Sequence, residues 1–540
     1  MLRKLFLILL FAGFAFTANA ARQEAPLENK GSIISRLQNL FSELELYKGP
    51  TDGQPSKAFR DAAALYRQNW GLDPLGPLDD EFLRHVEKSA SMLQLQRRLK
   101  DIKDEQIAEA RLALSSSPAV RELLQKPPPT RRAVDIASCL RAADVNCLLT
   151  GALESALGES DERHREWALH DVISAEARSG QASQALSIAS YFGDPRSLLQ
   201  AFREIAENLA EAGHISQAVA IAEIHPDPRG KAEALIFVAL AQTGQKLENE
   251  AKTTLKKVNA LLGKINDPQG RIHLLSKMSQ IHFRLGENAA AANDLHRARS
   301  ILQELEFEAR PSSKGLIAAA LAANADPRGA ILEMNGINDA DLIAPVRMAA
   351  VEAYAKSDNL DAALSQARAI PIPRYRIISL SRLAPLIAKA GRKNEANQVL
   401  DEALKAAPMI ELVYARSYAT SKVAAARLEI GDREWSLNEA IKIEDDQLRA
   451  QTLWNIVDSN GQPGKSALSE AEKAGAAIPE PFARVYMFAQ LAMAATRAGD
   501  LPLATRHFAR ATKAAEPISS PFLRARALST LALALLEIVK

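Results

Sequence analysis

The chain has almost no cysteine, few aromatic side chains and little net charge. Of its 540 residues two are Cys and 5% are aromatic, and 67 Lys and Arg nearly balance 65 Asp and Glu. A balanced chain offers no clustered positive field, so nucleic acid is not an expected partner. The two cysteines, Cys139 and Cys147, lie in "ASCLRAADVNCLL" and lack the CxxC spacing of a redox site. On one continuous helix they would stand about 12 Å apart along the axis, beyond disulfide reach. If Asp144 to Asn146 makes a turn between two helices, the thiols meet, and a structural disulfide is the expectation.

Sustained alternating runs are missing, which excludes a β architecture. The nine histidines form neither HExxH nor a pair at i, i+4, and no GxSxG, P-loop or dinucleotide fingerprint occurs. No catalytic residue, metal ligand or cofactor site is therefore expected. Long apolar runs are also scarce. The one at the start, "MLRKLFLILLFAGFAFTANA", places Arg3 and Lys4 before an apolar stretch from Leu5 to Phe16 and ends in Ala18-Asn19-Ala20. About 12 apolar residues are too few to span a bilayer core, which needs roughly 20. This is the layout of a cleaved secretory signal over 1–20, with the cut after Ala20 and a periplasmic mature protein. A flexible polar leader is expected over 21–31, and no transmembrane segment in the mature chain.

What the sequence does contain, beyond residue 132, is repetition. A helix-like run, a Gly and then an Ala five residues later recur as Gly180 to Ala185, Gly213 to Ala218, Gly286 to Ala291, Gly391 to Ala396 and Gly499 to Ala504. Ser357 to Ala362 and Gly431 to Ser436 read as degenerate copies. A Gly after a helix supplies a left-handed cap, and a small residue lets two helices approach closely. A second mark alternates with the first: Asp194-Pro195-Arg196, Asp227-Pro228-Arg229, Asp267-Pro268-Gln269 and Asp326-Pro327-Arg328. Asp suits a helix N-cap and Pro the first turn. The Arg either lines a groove or pairs with a carboxylate of the neighbouring repeat. Fixed periods of this size predict stacked helical hairpins over 133–540. The pattern resembles tetratricopeptide-type repeats, with Leu, Ile and Ala replacing most of their usual large aromatics. Between Ser115 and Arg132, "SSSPAVRELLQKPPPTRR" reads as a stiff joint closing a helical connector over 89–132.

One stretch departs from the Ala- and Leu-rich background: "LYKGPTDGQPSKAFRDAAALYRQNWGLDPLG" at 46–76. Apolar spacing predicts helices at about 33–44, 56–69 and 79–86, separated by Gly- and Pro-rich loops. Leu37-Gln38, Leu46-Tyr47, Gly49-Pro50, Asp52-Gly53, Ala62, Gly71-Leu72, and Gly76 with Asp79 together resemble the three-helix bacterial peptidoglycan-binding domain. That resemblance covers about 32–88. It implies a murein glycan or peptide-stem ligand, met by the aromatic faces of Tyr47, Tyr66 and Trp70 and the polar groups of Asp52, Arg60 and Arg67. Such modules accompany cell-wall hydrolases, and Glu154-Ser155 and Glu159-Ser160 superficially resemble the Glu-Ser of lytic transglycosylases. Both fall in an Ala-rich helix without an aromatic cleft.

The expected protein is all-α: a small peptidoglycan-binding-like domain followed by a long α-solenoid of tetratricopeptide-like hairpins. Its expected function is that of a non-enzymatic periplasmic scaffold that associates with peptidoglycan and holds an envelope protein in the solenoid groove. The alternatives are a murein hydrolase or hydrolase activator, and a structural repeat protein whose N-terminal module has lost its ligand.

Overall fold

The computed structural model describes residues 30–118, 120–121, 134–459 and 465–539. The expected signal segment, nearly all of the expected leader and most of the proline-rich joint lie outside the described residues. Among the described residues every regular element is a helix. The chain forms two compact units that divide between Gln106 and Ile107.

The N-terminal unit is built from α1 (Lys30–Glu43), α2 (Lys57–Asn69) and the start of α3 (Asp80–Ser116). Ser56 caps α2, its Oγ accepting from the Phe59 N–H, and Asp79 caps α3 through the Phe82 N–H. Phe41 lies at the centre, its ring 5.9 Å from Phe59, 5.5 Å from Tyr66 and 6.2 Å from Phe82. The third helix does not stop near Val86 but runs on for 37 residues. The reason is in the sequence: no Gly or Pro interrupts residues 80–117.

The second unit is a helical-repeat solenoid. It begins with α4 (Ile136–Arg141) and α5 (Val145–Leu157). Asp144 caps α5 at the turn, and Cys139 and Cys147 are joined with their Cα atoms 5.6 Å apart. A cross-link closing so short a loop contributes about 2.5 kcal/mol in the chain-entropy picture. Reduction is therefore expected to loosen α4 and α5 by about that amount, read as faster amide exchange in residues 136–150, with exchange in later hairpins unchanged.

Among the described residues ten hairpins follow. Their first helices are α6 (Glu162–Arg178), α8 (Pro195–Glu211), α10 (Pro228–Gly244), α12 (Pro268–Arg284), α14 (Arg310–Ala323), α16 (Ala340–Lys356), α18 (Pro373–Lys389), α20 (Val413–Ile430), α22 (Asp446–Asp458) and α24 (Pro481–Arg497). Their second helices are α7 (Ala182–Ala189), α9 (Ile215–Ile224), α11 (Glu248–Leu262), α13 (Asn288–Glu304), α15 (Pro327–Glu333), α17 (Leu360–Arg368), α19 (Lys393–Ala406), α21 (Arg433–Ile441), α23 (Lys465–Ala477) and α25 (Leu501–Ala515). One more helix of the first kind is α26 (Pro521–Val539). Its partner comes from the other end of the unit: α26 packs along α5 and beside α6, and α4 touches α25. Arg524 Nε donates to Ser155 Oγ at 3.0 Å, and Arg526 Nε to Asp171 at 2.7 Å. The solenoid closes on itself, and the eleventh hairpin is assembled from α26 and α5, which come from opposite ends of the repeat array.

Successive first helices pack on one another, whereas successive second helices pack mainly on first helices. The first helices therefore lie on the shorter, inner circumference. One apolar core runs through the seam, joining residues up to Val346 with those from Ala440 onward, and a second core spans Val351 to Ala426.

Six of the described hairpin turns are made as the Gly-to-Ala spacing indicates. Gly180, Gly213, Gly286, Gly391, Gly431 and Gly499 all have positive φ, and the small residue five positions on is buried in each case. Two further copies are invisible to a Gly pattern, because Lys246 and Ala325 occupy the left-handed position ahead of buried Ala251 and Ala330. A third needs correction by one residue: Asp358, not Ser357, is left-handed, and Ala363, not Ala362, is buried. Ala325 holds φ 61° without the freedom of Gly, a conformation that costs an L-residue roughly 1–2 kcal/mol. Ala325→Gly is expected to raise stability by up to about 1 kcal/mol, after the added unfolded-state entropy is deducted, read from the denaturant midpoint.

The Asp-Pro marks also divide by role. Asp194, Asp227 and Asp267 cap first helices, but Asp326 caps the second helix α15, directly after left-handed Ala325.

Candidate functional site

In the N-terminal unit the six candidate ligand residues separate into two sets. Tyr47, Tyr66 and Arg67 are buried and tie the loops to the core, so they do not face a ligand. The Tyr47 hydroxyl donates to the Pro50 carbonyl at 2.9 Å. A Cβ on Gly49 would meet that hydroxyl at 2.3 Å, which explains the glycine. The Tyr66 hydroxyl lies 2.6 Å from Ser89 Oγ and 2.8 Å from His85 Nδ1, and burial pushes its phenol up. Arg67 lies 3.9 Å over the Phe82 ring and donates to the carbonyls of Asp73 and Pro77.

Gln38, fully buried, holds the Asp52–Gln54 turn from inside. Its Oε1 accepts from the Gly53 N–H at 2.8 Å, and its Nε2 donates to Gln54 O at 2.9 Å. The Gly, Pro and Tyr of the opening loop therefore serve the loop's own geometry first. Asp52, Arg60 and Trp70 remain at the surface. Hydrogen bonds from the Gln54 backbone and from Gln38 hold the Asp52 carboxyl low. Arg60 donates to Pro55 O beside that loop. Trp70 ends α2, about 15 Å along the axis from Arg60, so the three do not form one compact pocket.

The ring offers a different surface. Counted from the start of each first helix, two inward rows carry aromatic side chains over one arc. The arc holds Tyr414 and Tyr418 on α20, Phe482 and Tyr486 on α24, Phe522 on α26 and Trp167 on α6. Tyr414 is 61% exposed, Trp167 53% and Tyr486 42%, in a chain with few aromatics to place. At the seam Arg526 sits 4.3 Å over Trp167, 4.9 Å over Phe482 and 5.4 Å over Phe522. Burial pushes the partner carboxyl of Asp171 up, and Arg526 opposes that shift.

The wall continuing from α6 through α10 is charged instead. His170 meets Glu204 at 2.6 Å, Arg203 meets Glu233 at 2.8 Å, and Arg229 joins Glu233 to Asp267 of the following repeat. Of the Asp-Pro-Arg arginines, Arg229 thus pairs across repeats, while Arg196 pairs with its own Asp194. Eleven first helices at about 9 Å spacing make a wall roughly 100 Å around. After the helices' own diameter this leaves an opening of about 20 Å, wide enough for a helix or an extended segment.

A further regularity escapes the sequence motifs. The fourth residue of most first helices is basic, and four of these arginines tie down the linker that precedes them. Arg165, Arg416, Arg449 and Arg484 donate to the carbonyls of Glu159, Ile410, Ile443 and Ile478, six residues upstream. Only a register fixed by the left-handed turns would have exposed this row in the sequence.

The two Glu-Ser pairs have structural work. Glu159 accepts from the Asp161 N–H at the start of α6, and Ser155 accepts from Arg524 across the seam. Among the described residues no group of His, Cys, Asp and Glu is placed to hold a metal ion, and no helix is long and apolar enough to cross a membrane.

No family model and no curated protein matches the chain. Among solved structures, Ton1535 from Thermococcus onnurineus NA1 is similar at 17% identity and a TM-score of 0.28, covering 58% of this chain and 95% of that one. A circular tandem repeat protein with a novel repeat topology is similar at 13% identity and a TM-score of 0.13, covering 95% and 97%.

Proposed function

We propose that this protein is a non-catalytic scaffold of the cell envelope, whose closed helical ring holds a protein partner against the aromatic arc of its inner wall. The observation that carries this reading is the arc itself. Tyr414, Tyr486 and Trp167 stand exposed on first helices, and Tyr and Trp are the side chains that anchor protein interfaces. The closed ring changes the mode of binding expected of an open groove. An opening of about 20 Å excludes most folded domains and admits a helix or an extended segment.

The N-terminal unit, peptidoglycan-binding-like in its sequence, would place the ring on murein through Asp52, Arg60 and Trp70. The Cys139–Cys147 bridge accords with an oxidising compartment such as the periplasm, and so does the secretory-type start of the chain. The repeats are tetratricopeptide-like in their Gly-to-Ala turns.

Photocrosslinkers at Tyr414 and Tyr486 test the arc, with one on the outer helix at Lys405 as control. One common adduct from both tyrosine sites and none from Lys405 is expected. Adducts only from Lys405, or none from any site, would refute the arc. Murein attachment is tested separately by sedimentation with sacculi. The chain from Ala21 should pellet, and a chain lacking 21–90 should stay in the supernatant. Muropeptide release by the purified protein would overturn the non-catalytic reading.

A further inference from the structure

Outside the ring wall, between the second helices α11 and α13, lies a cavity of 380 Å³. Its floor is apolar, formed by Leu255 of α11 and Met278 of α12, both buried, with Ala290 beside them. Its mouth is cationic. Lys252 and Lys256 stand one turn apart on the same face of α11, and Arg297 faces them from α13. Like charges at this spacing disfavour a helix by a few tenths of a kcal/mol, so the pair is not explained by helix stability.

The charges present are unevenly answered. Lys252 reaches Glu287 at 3.1 Å. Arg297 is held by Asn259 Oδ1 at 2.9 Å and by Asp294 at 3.5 Å. Asp294 is itself buried and bonded to His282 Nδ1 at 2.7 Å. Lys256 has no carboxylate within ion-pair distance among the described residues. The guanidinium is thus fixed in place, one ammonium is unanswered, and apolar side chains lie beneath both.

We propose that this cavity binds a small organic carboxylate with a short aliphatic chain. The carboxylate would sit between Lys256 and Arg297, with Lys252 nearby, and the chain would lie on Leu255 and Met278. The volume falls within the range of small-ligand sites, which pair an apolar lining with a few placed polar groups. Neither the murein module nor the aromatic arc is needed for this site, so its fate is independent of theirs.

The Met278 methyl group reports directly from the cavity floor. In full-length protein labelled with 13C at the methionine methyls, titration with hexanoate is expected to shift Met278 saturably and leave Met92 and Met409 in place. Acetate, four methylenes shorter, should bind at least about tenfold more weakly. Lys256→Gln, at an exposed position that folding does not depend on, should weaken hexanoate several-fold. Arg297→Gln should weaken it as well. Three results would overturn the proposal: an unmoved Met278, a response unchanged in Lys256→Gln, or inorganic phosphate binding as tightly as hexanoate. The last would mean that charge alone is recognised.

Discussion

Ending the chain at Ser520, which removes α26, is expected to unfold far more than one helix. In an open solenoid each repeat contacts only its neighbours, so loss of a terminal helix frays the last repeat. Here α26 covers α5, α6 and α24 at once, with Leu528 and Leu531 fully buried among small residues. Leu528 lies so close to α5 that a Cβ on Gly151 would stand 3.2 Å from its methyl group. Removing these side chains exposes apolar surface on both ends of the ring, at a cost above about 5 kcal/mol. Scattering should show an enlarged, opened particle, and the repeat unit should unfold at a lower temperature and over a broader range than in the parent. A truncated chain that keeps its dimensions and melts as before would show that the seam does not hold the ring. A milder variant, Arg526→Met, removes one of the two seam arginines and its ion pair with Asp171 while keeping Arg524 and α26. It should open the ring only on heating.

Replacing Glu176 by Leu is expected to stabilise the protein strongly at pH 8 and hardly at all at pH 4. Glu176 is buried near the end of α6, and its Oε2 has no hydrogen-bond partner. Burial raises its carboxyl from 4.5 to about 7. The corresponding positions show what is missing. In α8 and α9 the pair is Leu209 and Ile221, both apolar and buried. In α10 and α11 it is Gln242 bonded to Thr254, and in α12 and α13 it is His282 bonded to Asp294. Glu176 corresponds instead to Ile188 on α7, a side chain that cannot hydrogen-bond.

The sign follows from linkage. Below about pH 4 the group is protonated in both the folded and the unfolded chain and costs nothing electrostatic. Between about 4.5 and 7 the unfolded chain releases the proton first, so stability falls as pH rises. Above about 7 the penalty levels off near 3 kcal/mol. Denaturant midpoints of the parent and of Glu176→Leu, compared at pH 4 and pH 8, measure it. A gain of equal size at both pH values would mean that packing rather than charge is the cause.

The particular residues show how far each level of the structure could be read in the chain. The hairpin turns were legible where glycine makes them, as at Gly213 and Gly391, because a left-handed backbone leaves a mark on residue choice. They were illegible at Lys246 and Ala325, where packing enforces the same backbone on residues that do not prefer it. The aromatic and basic residues of the opening loop were legible as unusual but not as interior. Whether Tyr47 and Arg67 point outward or inward is set by which carbonyls fold over them. Only assembled loops place Pro50 and Pro77 there. The length of α3 could have been read directly from its lack of Gly and Pro.

The sequence by itself determined an all-helical chain of paired helices, a three-helix unit ahead of them, and the spacing at which helices cap and approach. Those are local properties, fixed by capping side chains, small residues and apolar period within a few turns. Only the tertiary structure decided that the stack closes, because closure is the sum of small rotations over eleven hairpins. It brings together Arg526 and Asp171, which lie 355 residues apart in the chain. The same rotation gathers Tyr414, Tyr486 and Trp167 from separate repeats onto one inner arc. No short window of sequence contains that arc, and Trp167 joins its other members only when the ring is complete.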